Sequence, residues 1–251
     1  MFEETKSGND AKAAEWSREQ VAEAAIRLKE ADPDSILKWA VGEFGSEMAL
    51  ACSFGYEDVS LVYRLSRIDP EQTVPIFYLD TDLLFPETYE TRDRLAGSCG
   101  VSFIRVTPAY TLERQAQLWG DELWKREPHS CCLVRKVEPL RRFLKGRTAW
   151  ITGIRREQAP SRGKAEVVEW DHQFGLVKIN PLAYRTSDEV WRYIQERNIP
   201  HNPLHDRMYP SIGCIPCTRP VRPGEDIRAG RWSGFGKTEC GLHPSKQEEE
   251  D

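Results

Sequence analysis

Four of the seven cysteines have a spacing that points to a metal centre. Cys131 and Cys132 are adjacent, and the motif Cys214-x-x-Cys217 follows later in the chain. Four thiolates suit either zinc or an iron–sulfur cluster. Adjacent cysteines point in divergent directions, so they fit a compact zinc tetrahedron less readily than a cubane cluster, whose separate irons accept neighbouring thiolates. The pattern therefore favours a [4Fe–4S] cluster, with zinc, redox thiols or chance left as alternatives.

A lysine follows the vicinal cysteines at helical spacing. Lys136 lies four residues after Cys132, so on a helix the two side chains share a face. A cation beside a thiolate-rich centre is well paired, and it can also hold an anionic ligand. We therefore expect the Lys136 ammonium to face both the metal centre and a bound anion.

The last cysteine, Cys240, stands apart from the four candidate ligands and is a candidate nucleophile. Lys237 and His243 flank it, and Arg228 and Arg231 add positive charge upstream. Positive charge favours the thiolate, which is the reactive form of cysteine. We expect an exposed thiolate on a mobile arm. An incidental tail cysteine is the competing interpretation, and the dense cationic neighbourhood weakens it.

Residues 53–58, Ser-Phe-Gly-Tyr-Glu-Asp, link a predicted buried strand to a predicted helix. A small residue and a glycine there let backbone N–H groups approach an anion, whose charge the helix dipole favours. The segment is neither a Walker loop nor the dinucleotide fingerprint. The next strand ends in the polar residues 80–82, and two polar strand ends in succession favour a nucleotide site. An ordinary strand-to-helix turn remains the alternative.

Alternating strand and helix patterns supply the frame for these groups. Short apolar runs predict strands at 48–53, 73–79, 101–106, 148–152 and 176–179. Helical spacing predicts two helices between Trp16 and Trp39 and others after the first two strands, and the capping box Thr186-x-x-Glu189 opens a further helix. This alternation predicts an α/β fold with a mostly parallel sheet and helices on both faces.

The composition changes after about Ile199, where Pro, Gly, Arg and Cys dominate and apolar periodicity ends. Such a segment cannot form its own core, so it is either a disordered tail or a segment that folds over a site on the main domain. We expect an N-terminal helical segment at 1–40, a nucleotide-binding α/β domain at 41–200, and a cluster-anchored C-terminal segment at 201–251 with a mobile catalytic tail.

The composition also argues against several classes of protein. The chain has 35 Lys plus Arg and 40 Asp plus Glu, a net charge of −5, whereas coating nucleic acid needs an excess of cations on one face. No apolar stretch approaches the roughly 20 residues of a membrane helix, and the first residues do not form a secretion signal. A cytoplasmic location follows by default. Cys52 and Cys99, in apolar or small-residue surroundings, are expected to be packing residues.

Together these motifs resemble the assimilatory adenylyl-sulfate reductases, the iron–sulfur type within the phosphoadenylyl-sulfate reductase family. The cysteine set, the terminal Glu-Cys-Gly-Leu-His at 239–243 and the stretches 199–206 and 78–81 carry the resemblance, which spans about Ser46 to His243. The wider group, with its adenine nucleotide alpha hydrolase-like fold, has the loop Ser-Gly-Gly-x-Asp-Ser. The different loop at 53–58 argues against ATP cleavage and fits reductases, which only hold an adenylate there.

The resemblance implies that the chain reduces adenylyl sulfate to sulfite and AMP with thioredoxin, through a Cys240 S-sulfonate, in sulfate assimilation and cysteine biosynthesis. It implies a [4Fe–4S] cluster on Cys131, Cys132, Cys214 and Cys217. The substrate residues that it implies are Ser53 and Gly55 at the phosphate, Leu79 and Thr81 at the adenosine, Gly153 at the nucleotide, Lys136, Arg162, Arg228 and Arg231 at the phosphosulfate, and His243 beside the nucleophile. Arg155 and Arg156 are additional candidate cations.

Two rival functions stay open at this point. The substrate could be 3′-phosphoadenylyl sulfate, although the cluster cysteines favour the unphosphorylated one because cluster-free relatives generally take the other. A metal-bearing RNA-binding or regulatory module would be a different class, and the acidic charge and the lack of a basic aromatic stripe count against it. The sequence leaves open the oligomeric state, a homo-oligomer included, and the identity of the thioredoxin.

Overall fold

The computed structural model describes residues 16–235, 237 and 239–243. The beginning of the predicted 1–40 segment and the end of the predicted 201–251 segment lie outside these residues. The described part forms a sheet of six strands, whose bounds are β1 Met48–Ala51, β2 Ile76–Leu79, β3 Phe103–Val106, β4 Ala149–Ile151, β5 Val168–Asp171 and β6 Leu176–Ile179.

The order of the strands creates a topological switch point at the centre of the sheet. The order is β3-β2-β1-β4-β6-β5, and every neighbouring pair is parallel except β5 and β6. From β1 the chain adds β2 and β3 on one side and then crosses to add β4 on the other. Ligands of open α/β sheets bind in the crevice outside the carboxyl ends of the strands where the order reverses. That crevice lies between the ends of β1 and β4.

Helices separate the first four strands, as predicted, whereas β4, β5 and β6 follow one another with only short 3₁₀ turns between β4 and β5. The bounds of the helices are α1 Arg18–Leu28, α2 Pro33–Phe44, α3 Tyr56–Ile68, α4 Pro86–Cys99, α5 Leu112–Trp119, α6 Leu123–Arg126, α7 Pro128–Cys132, α8 Glu138–Leu144 and α9 Ser187–Glu196. The predicted capping box at the start of α9 is confirmed, since Glu189 N–H donates to Thr186 Oγ1 and Thr186 N–H donates to Glu189 Oε2.

Both faces of the sheet are covered, which confirms the predicted fold class. Successive residues of a strand point to opposite faces. Leu50 of β1 belongs to the larger apolar cluster, whereas its neighbour Ala49 packs in a second cluster with Trp150 and with Leu140 and Leu144 of α8. Because all of these residues are almost fully buried, the strands read as continuous apolar runs, which is typical of parallel sheets.

Two local features differ from the sequence prediction. The edge strand β5 is absent from the predicted strands, because its sequence Val-Glu-Trp-Asp carries little apolar signal. The stretch between α7 and α8, Leu133–Val137, is a π-helical turn, so Lys136 does not follow Cys132 with ordinary α-helical spacing. Such wide turns inside helices often occur at functional sites.

The C-terminal segment is irregular and lies against the main domain. It is joined to the loop after β2 by a bridge between Leu84 and Cys214, and Trp232 is only 2% exposed. Lys237 donates from Nζ to the carbonyl of Pro128 at 3.0 Å. Within the described residues, no helix has the length and apolar character that crossing a membrane requires.

Candidate functional site

A cavity of about 210 Å³ occupies the switch point of the sheet. Its walls come from the loops after β1 and β4, from the π-helical turn and from the C-terminal segment. Nearly all of the residues predicted to bind substrate line it, together with the predicted nucleophile: Ser53, Gly55, Leu79, Lys136, Gly153, Arg162, Arg228, Arg231, His243 and Cys240. The fold therefore brings to one place residues that are widely separated in the sequence.

At the loop after β1, the Asp58 carboxylate accepts hydrogen bonds from Ser53, one of the residues predicted to bind phosphate. Ser53 donates to Asp58 Oδ2 from both its backbone N–H and its Oγ, each at 2.6 Å. Burial raises the pKa of Asp58 to about 6, although the two hydrogen bonds from Ser53 act in the opposite direction. A β-carbon at Gly153 would come within 2.2 Å of Asp58 Oδ1, so only glycine allows the β4 loop to approach this carboxylate.

Phe54 in the same loop has a backbone conformation that is uncommon for a residue with a side chain. Its φ is +62°, in the left-handed region where glycine is favoured. Its ring is buried and makes edge contacts with Tyr78 and Phe103 at centroid distances of 5.4 and 5.2 Å. Ring burial therefore offsets the backbone strain, and it explains how the loop tolerates phenylalanine at this position.

Four cations line one part of the cavity: Lys136, Arg162, Arg228 and Arg231. Burial, and then the nearby Arg162, lowers the pKa of Arg228 to about 10, which still leaves it charged at neutral pH. Arg231 donates from Nη1 to Ser211 Oγ at 3.0 Å and to the Ile212 carbonyl at 3.2 Å. Such a concentration of positive charge in a concave site suits a multiply charged anion.

A tail carboxylate lies among these cations. Glu239 accepts hydrogen bonds from Arg162 Nε at 2.9 Å and Nη2 at 2.8 Å, and from Arg228 Nη2 at 3.0 Å. Ser161 Oγ donates to the same carboxylate at 3.0 Å. Although burial opposes its charge, the hydrogen bond from Arg162 and the two guanidinium charges hold the pKa of Glu239 below its usual value.

The predicted nucleophile directly follows this glutamate. Cys240 is half-buried rather than fully exposed, and its side chain lines the cavity. The next residue is fixed as well, since Gln173 Nε2 donates to the Gly241 carbonyl at 2.9 Å. Cys240 therefore lies at the cavity on a segment that is held on both sides.

His243 and Lys237 do not supply the positive charge that the sequence suggested for Cys240. The His243 ring stacks on Trp150 at a centroid distance of 5.5 Å, and burial lowers its pKa well below the ordinary value, with the positive charge of Lys178 the next cause. His243 is therefore neutral at neutral pH. The Lys237 ammonium is buried on the Pro128 carbonyl, so the positive charges at the cavity belong to the four residues described above.

The four cysteines of the predicted metal centre line a common cleft: Cys131, Cys132, Cys214 and Cys217. Burial, and then the neighbouring thiols, raises the pKa of Cys131 to about 12 and that of Cys217 to about 11. Thiols that disfavour each other's ionisation become good ligands once a cation compensates their charge. No three His, Cys, Asp or Glu side chains within the described residues converge as ligands of a single metal ion.

Lys136 connects the two cavities, because its side chain lines both of them. Burial opposes the charge of its ammonium, but the thiols of Cys214, Cys132 and Cys240 raise the pKa of Lys136 above the ordinary value. Arg231 also lines both cavities. Lys136 thus lies between the cysteine cleft and the cavity, but a π-helical turn places it there and not the α-helical spacing on which the prediction rests.

Three of the residues predicted to bind substrate do not line the cavity, and their hydrogen bonds and ion pairs to other parts of the chain explain why. Thr81 is fully buried outside the cavity lining, and its Oγ1 lies 3.2 Å from Cys214 Sγ, so it contacts the cysteine cleft rather than the cavity. Arg155 is 1% exposed and paired with Glu57. Arg156 is paired with Glu166. Neither arginine lines the cavity, because each neutralises a glutamate of the main domain.

Several groups that organise the site have no role in the sequence prediction. Gln158 accepts from Arg162 Nη1 at 2.6 Å and donates to the Gly153 carbonyl at 3.1 Å, so it fixes two predicted substrate residues. Asp58 and Glu239 are equally central. Their signals are present in the sequence, since both are carboxylates within the motifs singled out there, but only the folded chain shows that each accepts hydrogen bonds from the anion-binding groups.

The chain is similar to known families and to curated proteins over most of its length. The profile of the phosphoadenosine phosphosulfate reductase domain matches residues 47–220. The adenosine 5′-phosphosulfate reductase of Salinibacter ruber is 46% identical over 243 residues, which covers 96% of each chain. Adenosine 5′-phosphosulfate reductase 1 of Bacillus subtilis is 46% identical over 226 residues, covering 88% of this chain and 96% of its own.

The similar solved structures include a phosphoadenylyl-sulfate reductase from Candida auris in a phosphate complex. It is 30% identical, with a TM-score of 0.72, and the match covers 81% of this chain and 98% of that one. A Candida glabrata FMN adenylyltransferase in complex with FAD and pyrophosphate superposes with a TM-score of 0.54 at 13% identity, covering 92% of this chain and 90% of that one. At that identity the second likeness shows the fold alone.

Proposed function

We infer that this chain, which belongs to the phosphoadenosine phosphosulfate reductase family, is an oxidoreductase that reduces adenylyl sulfate to sulfite and AMP in sulfate assimilation. One observation carries this function: a phosphate-type loop, four cations and the half-buried thiol of Cys240 line a single cavity. An adenylated sulfate has the adenylate, the adjoining anion and the electrophilic sulfur that these three features suit.

In the proposed complex, Ser53 and Gly55 hold the phosphate and Leu79 flanks the adenosine. Gly153 lets the chain approach the nucleotide closely, because a larger residue would meet Asp58. The phosphosulfate lies among the four cations, and the guanidinium groups of the three arginines can donate paired hydrogen bonds to it. This arrangement directs the sulfur toward the C-terminal segment.

The Cys240 thiolate then attacks the sulfur of the substrate. A new S–S bond forms, the bond between that sulfur and the phosphate oxygen breaks, and AMP leaves with the electron pair of the broken bond. The product on the enzyme is a Cys240 S-sulfonate. The guanidinium groups of Arg162 and Arg228 support this step, because they stabilise the negative charge that develops on the leaving phosphate.

Reduced thioredoxin completes the cycle in our proposal. Its thiolate attacks Cys240 Sγ, the S–S bond of the S-sulfonate breaks, and sulfite leaves with the electron pair. The resulting mixed disulfide is resolved by the second thioredoxin thiol, which regenerates the Cys240 thiolate and releases oxidised thioredoxin. Both electrons come from thioredoxin. This donor agrees with the cytoplasmic location proposed from the sequence.

The four cysteines of the cleft fit a [4Fe–4S] cluster. They come from two segments, line one cleft and lie beside the cations Lys136, Arg135 and Arg231, which balance the negative charge of a thiolate-ligated cluster. A single zinc ion needs its ligands to converge on one point, an arrangement not found among the described residues. A cubane distributes four thiolates over four irons.

The cluster would supply a fixed charge next to the anion site and a covalent link between α7 and the C-terminal segment. Since thioredoxin supplies the electrons, no change of oxidation state is required. Lys136, which lines both the cysteine cleft and the cavity, separates the two negative groups and holds the sulfate of the substrate.

A second candidate substrate is 3′-phosphoadenylyl sulfate, which the Candida auris relative is named for. The curated relatives with 46% identity carry the name of the unphosphorylated substrate, and the four-cysteine cleft favours the same one. The deciding assay measures sulfite release from each of the two substrates with reduced thioredoxin, with a Cys240→Ser variant as the control. Release from neither substrate would refute the proposed function, and preference for the phosphorylated one would reassign the substrate.

A further inference from the structure

The C-terminal segment carries its own anion into the phosphosulfate site. The Glu239 carboxylate receives two hydrogen bonds from Arg162, one from Arg228 and one from Ser161. The three charged side chains are buried together, with 11–14% of each exposed. The carboxylate therefore occupies the donors that a bound phosphosulfate would need.

Two anions cannot use these donors at once. Arg162 donates from Nε and Nη2, which form one edge of its guanidinium, to the two oxygens of Glu239. Its third nitrogen, Nη1, donates to Gln158 Oε1. A guanidinium has five N–H donors in a rigid fork, so it cannot turn a second paired edge toward a new ligand without leaving its present partners. A phosphosulfate that binds Arg162 in this way must displace the carboxylate.

We propose that Glu239 is an internal competitor of the substrate, which occupies the phosphosulfate site in the empty enzyme and leaves it when the substrate binds. The proposal rests on the proposed function and adds a regulatory contact to it. Because Glu239 and Cys240 are adjacent, displacement of the carboxylate also moves the backbone that carries the thiol. Substrate binding and repositioning of the nucleophile are thereby coupled, and the empty enzyme keeps its thiol segment docked.

The test compares dissociation constants in a background that does not turn over. Glu239→Gln in a Cys240→Ser chain removes the competing charge and keeps the size of the side chain, although the amide NH₂ replaces one of the two accepting oxygens. We expect its dissociation constant for adenylyl sulfate to fall about tenfold, the ratio that corresponds to the lower end of a charge-assisted hydrogen bond. AMP, which lacks the sulfate, should change by less. Isothermal titration calorimetry measures both constants.

The matched control is Glu225→Gln in the same background. Glu225 also lies in the C-terminal segment and pairs with an arginine through two hydrogen bonds, those of Arg219, but neither residue lines the cavity. Its substitution should leave the dissociation constants unchanged. An unchanged or higher dissociation constant for adenylyl sulfate in Glu239→Gln would overturn the proposal. Either result is expected if Glu239 only holds the C-terminal segment in place and does not compete with the substrate.

Two additional measurements keep the test decisive. Glu239→Ala should show the same direction as Glu239→Gln, and it replaces that variant if the glutamine fails to fold. Inorganic pyrophosphate serves as a probe that does not depend on the reaction: it should also bind more tightly to the Glu239 variants. If the wild-type chain releases no sulfite, the proposed function fails, whereas the pyrophosphate titration still decides whether Glu239 competes for the anion site.

Discussion

Replacement of Lys136 by alanine is the perturbation with the sharpest expected pattern. Lys136 lines both the cysteine cleft and the cavity at the switch point of the sheet. In the proposed complex, its ammonium separates a cluster with four thiolates from the sulfate of the substrate. Two negative groups near each other in a partly buried crevice repel, and a cation between them compensates the repulsion. Lys136→Ala removes that compensation.

The expected magnitude follows from the interaction between the ammonium and the sulfate. One charge-assisted hydrogen bond of this kind is worth about 1.5–3 kcal/mol, which corresponds to a roughly ten- to hundredfold loss in kcat/KM for adenylyl sulfate. AMP lacks the sulfate, so its affinity should fall by much less. Lys136→Arg should recover only part of the loss, because a planar guanidinium does not replace a compact ammonium.

The assay measures kcat/KM by sulfite release and AMP affinity by calorimetry in the same variants. Lys125→Ala is a suitable control, because Lys125 is 62% exposed and pairs only with the surface residue Glu122 among the ion pairs described. Iron content has to be equal to that of the wild-type chain for the comparison to hold. Equal losses for the substrate and for AMP would refute the reasoning, since they would place Lys136 at the α-phosphate or in the fold.

Four other predictions follow from single side chains. Cys240→Ser should abolish sulfite formation while cluster absorbance and AMP binding persist; a substantial remaining rate would exclude Cys240 as the nucleophile. Cys217→Ser should lose iron and activity together and become more sensitive to trypsin after about residue 199, so an active, iron-replete variant would contradict the ligand assignment. Gly153→Ala should lower the midpoint of thermal unfolding and weaken AMP binding, because the new β-carbon would lie 2.2 Å from Asp58 Oδ1; unchanged values would be inconsistent with this contact. Since the pKa of Asp58 is raised to about 6, the folded chain holds this proton to higher pH than the unfolded chain, so the contribution of Asp58 to stability should fall by about 3 kcal/mol as pH rises from about 4 to about 6; urea titrations of the wild-type chain and Asp58→Asn measure this as a change in their stability difference, and a difference that does not vary with pH would argue against this origin.

Much of the frame is predictable from the sequence, because parallel strands are buried on both faces. The apolar runs around β1, β2 and β4 are therefore continuous and easily recognised. The edge strand β5 lacks that signal, since half of its residues are polar and its pairing with β6 depends on tertiary contacts. The sequence pattern locates each predicted strand to within a few residues, and it cannot identify a strand that packing alone defines.

The sequence motifs single out most of the residues that line the cavity, but they do not show which of these residues contact one another. Lys136 lines both cavities, but the sequence cannot show that a π-helical turn and not an α-helix places it there. The role of Thr81 at the adenosine stays a prediction: Thr81 lies two residues after β2, outside the cavity lining, with its hydroxyl 3.2 Å from Cys214 Sγ. The pairing of Glu239 with Arg162 joins residues far apart in the chain, and no local pattern encodes such a contact.

The most direct test of the account is to look for the covalent intermediate on Cys240. The reduced chain is incubated with adenylyl sulfate in the absence of thioredoxin and analysed by intact-protein and peptide mass spectrometry. The account predicts the added mass of one SO₃ group on the peptide that contains Cys240, with release of AMP, and loss of that mass together with sulfite formation when reduced thioredoxin is added. Stoichiometric sulfite formation without any modification of Cys240, or the same modification on another cysteine, would contradict it.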